Sequence, residues 1–275
     1  MRIYHSRISE CVALDVNYDG LFGAIDSATV RYKTNLKKYP DFTKFIFIIA
    51  DAGIELTSEQ QEKKINNMTH DNKKLIDKIF NKNRKFDIIN CQFAIHYMFD
   101  SQSTINNLIN NINKFLIVSG YFICTLFDSS QVINLLNGKE NYISWYTDDD
   151  GQKKKFFEII KKFDNLKDEP GQGIDVYMSW ISMDNTSITE YLVTPKLMIS
   201  NLKKANCVLV DTVLFSNIYN MNRYWFLNVI DYEENPKNKK YFKDVAKFYD
   251  NLKGLDKECK IWSDLYRFYI FKKIN

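Results

Sequence analysis

The sequence predicts an α/β fold with a mostly parallel, doubly wound sheet. Short apolar runs alternate with amphipathic segments along the chain, a pattern typical of parallel strands joined by crossover helices. The first two apolar runs end in carboxylates, at Asp15 and Asp51. Hydrophobic residues make up 45% of the 275 positions, which is enough for a large core, and no stretch is typical of an interdomain linker. We therefore predict one domain over residues 1–275, with residues 141–175 as an insertion.

Composition narrows the class of protein. Lys and Arg outnumber Asp and Glu by 38 to 34, an excess that permits an anionic ligand without requiring one. The five cysteines form no CxxC pair, which favours a reducing compartment and gives no sign of a metal site. No run approaches the length of a membrane span, and the first residues lack the pattern of a signal peptide. We expect a soluble, intracellular protein without a bound metal.

The first third of the chain predicts two strands with acidic tips. Ser9–Asp15 is a short apolar run before a helical pattern over Leu21–Tyr39. A carboxylate at such a tip can accept hydrogen bonds from both hydroxyls of a ribose, although a helix cap or turn role for Asp15 fits the spacing equally well. Phe42–Ala50 predicts the second strand, and Ser58–Phe80 a Lys-rich surface helix.

The stretch Phe86–Phe99, with the sequence FDIINCQFAIHYMF, predicts a buried strand that ends in polar and aromatic residues. Gln92, His96 and Tyr97 stand beside two phenylalanines where this strand would leave the sheet. Ligands bind at such strand ends in open α/β folds, so we expect a binding site here.

The remainder continues the alternation of strands and helices. Ser119-Gly120 predicts a turn, and the charged segment Asn141–Gly173 a loop-rich or hairpin insertion. Tyr142, Trp145 and Tyr146 could stack on RNA there, although packing within the insertion explains them better. The other expected elements are helices at Ser103–Phe115, Ser129–Asn137, Pro195–Asn206 and Tyr241–Leu252, and strands at Tyr121–Phe127, within Tyr177–Val193, at Cys207–Phe215 and at Tyr266–Phe271.

Four segments, taken in order, resemble the mRNA cap (guanine-N7) methyltransferases, and most of all the C-terminal methyltransferase domain of capping enzymes from large DNA viruses. They are QFAIHY at Gln92–Tyr97, SGYFICT at Ser119–Thr125, TEYLV at Thr189–Val193 and the last strand from Tyr266. The first segment is specific, because a purely structural strand end does not need Gln, His and Tyr together. The resemblance implies a class I, Rossmann-like, S-adenosylmethionine-dependent methyltransferase fold with a cap-binding insertion.

The resemblance also assigns residues to the methyl donor. It implies that Asp15 binds the ribose hydroxyls of S-adenosylmethionine and Asp51 its adenine amino group, while Ala52 lies against the adenine. Gln92 would lie near the methionine moiety, and Phe93 would border both ligands.

On the cap side, the resemblance places Phe93, His96 and Tyr97 around the guanine. Glu190 would accept hydrogen bonds from guanine N1 and N2, a role that suits a carboxylate facing two donors. Tyr266, or Tyr269 close to it, would be the C-terminal tyrosine that contacts the cap. No residue is assigned as an acid or base. Taken singly, His96 would be a core or turn residue and Glu190 an exposed strand residue.

The sequence departs from the family pattern at one place. A strand and a Gly-rich loop of the type DxGCGxGxD precede the acidic strand in the family, and only Met1–Glu10 precede it here. We therefore expect this first strand and loop to be missing from the chain, which would begin within a helix at Met1–Tyr4.

The resemblance implies a viral enzyme that methylates the capped 5′ end of mRNA at the cytoplasmic site of viral replication. Triphosphatase and guanylyltransferase domains would precede it in one polypeptide, with an accessory subunit as a further partner. Two alternatives stay open: a non-catalytic cap-binding or stimulatory module, and a class I methyltransferase with another substrate.

Overall fold

The computed structural model describes residues 8–182, 186–250 and 252–275, with the main chain alone for 248–250. The expected helix at Met1–Tyr4 therefore lies outside the described residues. The chain forms two compact units. The first comprises Met1–Phe86 and Asn106–Phe115, and the second comprises Asp87–Ile105 and Leu116–Asn275.

In its described residues, the first unit contains a two-stranded parallel sheet, four whole helices and most of a fifth. Strand β1 (Glu10–Asp15) pairs with β2 (Lys44–Ile49) in a register that places Asp15 opposite Ile49. Helices α1 (Tyr18–Phe22) and α2 (Ala28–Lys38) replace the single helix that we predicted, because the Ser27 hydroxyl caps a new start. The expected helix at Ser58–Phe80 is likewise two helices, α3 (Ser58–Glu62) and α4 (His70–Ile79), and Thr69 caps the second.

The second unit contains a four-stranded sheet in the order β3-β4-β10-β9. Strand β10 runs antiparallel to both β4 and β9, so this sheet is not wholly parallel. The strands are β3 (Phe86–Gln92), β4 (Leu116–Phe127), β9 (Cys207–Leu214) and β10 (Tyr266–Lys273). A 3₁₀ turn (Ile95–Phe99) follows β3, and the next helix, α5 (Gln102–Phe115), begins in the second unit and lies mostly in the first. Strand β3 is less buried than its apolar sequence predicts, since Ile88 is 48% exposed.

The Ser119-Gly120 pair lies inside β4, so the predicted turn was wrong. Ser119 has a φ of 66°, which marks a local irregularity in the strand. A Cβ on Gly120 would lie only 2.8 Å from the carbonyl oxygen of Asp87 on β3. Glycine therefore allows the two strands to approach closely at this point.

The expected insertion contributes to an antiparallel sheet in the order β5-β6-β7-β8. Its strands are β5 (Asn141–Thr147), β6 (Lys153–Lys161), β7 (Gly173–Met178) and β8 (Ile188–Tyr191). The first two strands form the hairpin that we considered. Tyr142 stacks on Phe157 at 5.7 Å, in agreement with packing within the insertion. The apolar face of this sheet forms a core with α6 (Ser129–Leu136).

The remaining helices are α7 (Pro195–Lys204), α8 (Phe215–Tyr232), α9 (Pro236–Asp250) and α10 (Gly254–Asp264). Helices α8 and α10 were not predicted from the sequence, and neither has a side-chain N-cap hydrogen bond. In the part of the chain that the structure describes, no helix is both long and apolar enough to span a membrane. The predicted α/β class is confirmed, with mixed strand directions.

Candidate functional site

A cavity of about 410 Å³ lies within the second unit. Five residues from the sequence analysis line it, namely Phe93, His96, Tyr97, Glu190 and Tyr266. They come from the end of β3, the 3₁₀ turn, β8 and the start of β10, so elements far apart in the chain meet here. Mostly apolar side chains form the rest of the wall. Such a cavity suits a flat, partly polar ring that requires a few directed hydrogen bonds.

His96 and Glu190 form a buried polar pair in this wall. The His96 Nε2 and Glu190 Oε2 atoms are 3.3 Å apart, and the side chains are only 3% and 6% exposed. Neither of these atoms, nor His96 Nδ1, has a well-aligned hydrogen-bond partner among the described residues. Buried polar atoms are rarely left unpaired, so their position at a cavity indicates a site prepared for a polar ligand. The burial of Glu190 also excludes the alternative of an exposed strand residue.

Burial shifts the protonation of the groups around this pair towards their neutral forms. Desolvation raises the pKa of Glu190 to about 7 and outweighs a hydrogen bond from Tyr97, which by itself would lower this pKa. The pKa of His96 falls to about 3 because burial disfavours the imidazolium. Burial and the Glu190 charge raise the pKa of Tyr97 to about 12. Glu190 is therefore the group in this cluster that changes charge near neutral pH.

Phe93 is held in an uncommon backbone conformation at the end of β3. Its φ is 54°, in the left-handed region that bulky residues avoid, and its N–H donates to the Thr125 carbonyl at 2.9 Å. The residue is 49% exposed, and its ring meets that of Tyr266 edge to face at 5.0 Å. Such strain often accompanies function, because the surrounding structure must hold the residue in place.

Tyr266 and Tyr269 differ in their surroundings. Tyr266 lines the cavity, stacks on Phe127 at 4.5 Å, and has its pKa raised by burial and by the Glu190 charge. Tyr269 is 2% exposed and stacks on Phe271 at 6.0 Å. Of these two tyrosines, Tyr266 is therefore the one in a position to contact a ligand in the cavity.

The first unit brings two predicted cofactor residues to one edge of its sheet. Asp15 ends β1, and Asp51 follows β2 by two residues, with a hydrogen bond from Ala50 N to Asp15 O at 3.1 Å. The Asp15 carboxylate accepts from the Asn17 N–H at 2.9 Å, and Asp51 pairs with Lys64 at 3.1 Å. Asp15 thus makes the turn contact that we considered and keeps further acceptor positions for a ligand.

Buried amides hold the loop that contains Asp51 and Ala52. Gln61, which is fully buried, accepts from Asp51 N at 2.8 Å and donates to Asp51 O at 2.9 Å. Asn111 on α5 donates to the carbonyls of Ala52 at 3.1 Å and Ile54 at 2.7 Å. These side chains take the place of the backbone hydrogen bonds that a loop lacks, so the loop is fixed before any ligand binds.

Gln92 ends β3 in the second unit. Its side-chain oxygen accepts a hydrogen bond from the Thr125 hydroxyl, and its amide nitrogen donates to Asn90. The residue remains exposed, so one amide hydrogen is available to a ligand.

Several residues at these sites were not found from the sequence. Trp180, Phe215 and Trp262 line the cavity, and the two tryptophan rings meet at 5.3 Å. Trp262 lies four residues before Tyr266, but a helix ends and a strand begins between them. Their spacing in the sequence therefore could not show that both side chains line one cavity. Asn111 did carry a signal, because it falls on the apolar stripe of α5.

Among the described residues, no group of three or more His, Cys, Asp or Glu side chains is arranged to hold a metal ion.

Comparison with known proteins identifies the family to which this sequence is similar. The sequence model of the mRNA (guanine-N(7))-methyltransferase domain matches residues 1–274. A probable mRNA-capping enzyme of Acanthamoeba polyphaga mimivirus is 38% identical over 276 residues, which cover 96% of this chain and 24% of that protein. An mRNA cap guanine-N(7) methyltransferase of Caenorhabditis briggsae is 34% identical over 119 residues, covering 42% of this chain and 26% of that protein.

The chain thus spans about a quarter of the length of these relatives. A solved S-adenosylmethionine-dependent methyltransferase from Clostridium acetobutylicum is 14% identical and covers 95% of this chain and 74% of its own, with a TM-score of 0.43. That value is too low to add to the argument. Because the family match extends over nearly the entire sequence, the chain belongs to the mRNA (guanine-N(7))-methyltransferase family, as its motifs predicted.

Proposed function

We propose that this chain transfers a methyl group from S-adenosylmethionine to N7 of the guanine that caps mRNA. The observation that carries the proposal is the cavity where Glu190, with a pKa raised to about 7, meets unpaired His96 atoms and aromatic rings. Guanine presents two adjacent N–H donors at N1 and N2, and an ionised Glu190 can accept from both. The apolar rings would pack against the faces of the base.

The roles of the cavity residues follow from their positions. Glu190 would select guanine over adenine, since adenine presents an acceptor at N1 where guanine presents a donor. Tyr97, which already donates to Glu190, would orient the carboxylate. His96, kept neutral by burial, would hydrogen-bond the base and fix its rotation in the cavity. Phe93 and Tyr266 would form the aromatic wall against which the ring packs.

On the donor side, Asp15 and Asp51 would bind the ribose hydroxyls and the adenine amino group, Ala52 would lie against the adenine, and Gln92 and Phe93 would border the methionine end. The two carboxylates at one sheet edge and the loop fixed by Gln61 fit such a ligand. S-adenosylmethionine supplies an electrophilic methyl group on a sulfonium. Guanine N7 has a free lone pair, so the protein needs to align and desolvate the base without removing a proton.

We also propose the setting of the reaction. The match to a quarter of a mimivirus capping enzyme supports a domain of a longer viral polypeptide, in which triphosphatase and guanylyltransferase domains would precede this one. An accessory subunit would be a further partner. Cap methylation by such an enzyme would take place in the cytoplasm, at the site of viral replication.

The test is methyl transfer to cap dinucleotides. With labelled S-adenosylmethionine, the polypeptide that contains this chain should methylate GpppA at N7 of its guanine and leave ApppA unmodified. A Glu190→Gln variant should lose most of the GpppA activity and keep its affinity for S-adenosylhomocysteine, because Glu190 lies on the cap side. Equal methylation of both dinucleotides would refute the guanine assignment, and failure to bind S-adenosylhomocysteine would favour a non-catalytic cap-binding module.

A further inference from the structure

We infer that the outer surface of α8 and α9 binds the single-stranded RNA that follows the cap. This inference rests on the proposed function, which places a capped RNA end in the cavity of the same unit. We call this surface the α8–α9 face and define it by exposed side chains of both helices, namely Tyr224, Trp225, Lys237, Lys240, Tyr241 and Lys247.

Exposed aromatic rings are the first observation behind it. Tyr224 is 71% exposed, Trp225 51% and Tyr241 61%, far above the usual exposure of such rings in a folded chain. The Trp225 ring lies 5.9 Å from that of Phe242, and Phe242 lies 5.7 Å from Tyr241, so a row of rings crosses from α8 to α9. Rings presented in this way can stack on successive bases of a single strand without sequence preference.

Positive charge on α9 is the second observation. The helix carries five lysines and two aspartates. Lys237, Lys240 and Lys247 recur at helical spacing on its exposed side, and none of them pairs with a described carboxylate. Lysines interleaved with aromatic residues match the alternating phosphates and bases of a nucleic acid strand.

The third observation is continuity with the cavity. Phe215, the first residue of α8, lines the cavity and lies 6.0 Å from the Tyr266 ring. The 18 residues of α8 extend about 27 Å from that point. A strand whose cap guanine occupied the cavity would therefore have the α8–α9 face within reach of its next several nucleotides.

A protein partner is the competing occupant, since exposed Tyr and Trp side chains are also enriched in protein interfaces. The unpaired lysines favour RNA, because the hydrophobic core of a protein interface is depleted of lysine. The two occupants differ in a measurable way, since RNA binding must depend on substrate length and on salt.

The experiment compares a short and a long substrate. We expect wild-type protein to have a lower KM for a capped, unstructured RNA of about 20 nucleotides than for the dinucleotide GpppG, because one face can cover several nucleotides. A Lys240→Ala/Lys247→Ala variant should raise the KM for the long RNA about 25-fold at about 0.1 M salt. This value assumes that two phosphate contacts are lost and that each contributes about 0.7 to the slope of log affinity against log salt concentration. The KM for GpppG should not change.

A matched control removes two exposed lysines from α4, Lys74→Ala/Lys78→Ala, and should leave both KM values unchanged. Tyr224→Ala/Tyr241→Ala tests stacking and should raise the KM for the long RNA alone, by at least about fivefold. Circular dichroism verifies that each variant is folded.

An equal KM for long RNA in wild type and in both α8–α9 variants would overturn the inference. An equal rise for GpppG and long RNA would also overturn it, because the face would then act through the cavity. If wild-type protein methylates no cap at all, the proposed function fails, and fluorescence anisotropy with uncapped RNA still tests the face. In that assay, affinity that falls with salt and is weakened by Lys240→Ala/Lys247→Ala supports RNA binding, and unchanged affinity refutes it.

Discussion

Glu190→Gln tests the chemistry of the cavity most directly. The substitution keeps the size of the side chain and removes its charge, and it turns an NH₂ group towards one of the two guanine donors. Loss of one hydrogen bond to a charged acceptor corresponds to about 1.5–3 kcal/mol, or roughly 10- to 100-fold in affinity for the cap. Isothermal titration calorimetry with GpppG measures this loss, and titration with S-adenosylhomocysteine serves as the control.

The pH dependence gives a second, independent measurement. Burial raises the pKa of free Glu190 to about 7, and guanine donors would lower the pKa in the complex because they stabilise the carboxylate. Cap affinity should therefore be complete above about pH 7 and should fall about tenfold per pH unit below it, until the pKa of the bound state is reached.

The neighbouring groups do not interfere within this range. The pKa of His96 is lowered to about 3, that of Tyr97 is raised to about 12, and that of Tyr266 is raised further by burial. Glu190→Gln should therefore show little change in affinity with pH. Wild-type affinity that stays constant between about pH 5.5 and 8, or a glutamine variant as tight as wild type, would refute the proposed role of Glu190.

Three further predictions concern positioning and packing. Asn111→Ala should lower the free energy of unfolding by about 1–3 kcal/mol and raise the Kd for S-adenosylhomocysteine, because the carbonyls of Ala52 and Ile54 lose their donor. The control Asn110→Ala, on the exposed side of the same helix, should change neither quantity. Phe93→Gly should keep stability within about 1 kcal/mol in urea denaturation, since relief of the left-handed backbone offsets the lost ring, whereas cap affinity should drop; a parallel loss of both would contradict this. Gly120→Ala should lower the melting temperature more than Gly20→Ala, because only the former brings a Cβ within 2.8 Å of a backbone oxygen.

Local sequence signals predicted much of the fold. Strands β1 and β2 and helices α5 and α7 were recognised because apolar periodicity, caps and chain breaks are local features. The split of the expected helix at Ser58–Phe80 was missed, since the capping signal of Thr69 lay within a continuous Lys-rich pattern. Helix α8 was missed because its many aromatic and Asn residues have modest helix propensity, and contacts with α9 stabilise it.

The candidate site likewise contains residues that the sequence predicted and residues that it did not. Motifs pointed to Phe93, His96, Tyr97, Glu190 and Tyr266, which the structure brings to one cavity, while their roles in cap binding remain predictions. No local pattern could have assigned Trp180 or Gln61 to a site. Trp180 contacts Trp262, which is distant in the sequence, and Gln61 binds the backbone of an irregular loop. The burial that raises the Glu190 pKa is likewise a property of the assembled sheet and of no single segment.

The tryptophan pair in the cavity wall has a practical consequence. Trp180 and Trp262 line the cavity, while Trp145 and Trp225 lie outside its lining, and these four are all the tryptophans of the chain. With excitation selective for tryptophan over tyrosine, a Trp145→Phe/Trp225→Phe protein would therefore fluoresce from the cavity wall alone. Stacked purines alter such emission, so this variant would be an intrinsic optical sensor of occupancy. It would allow inhibitors of the site to be screened without a label or a methyl donor.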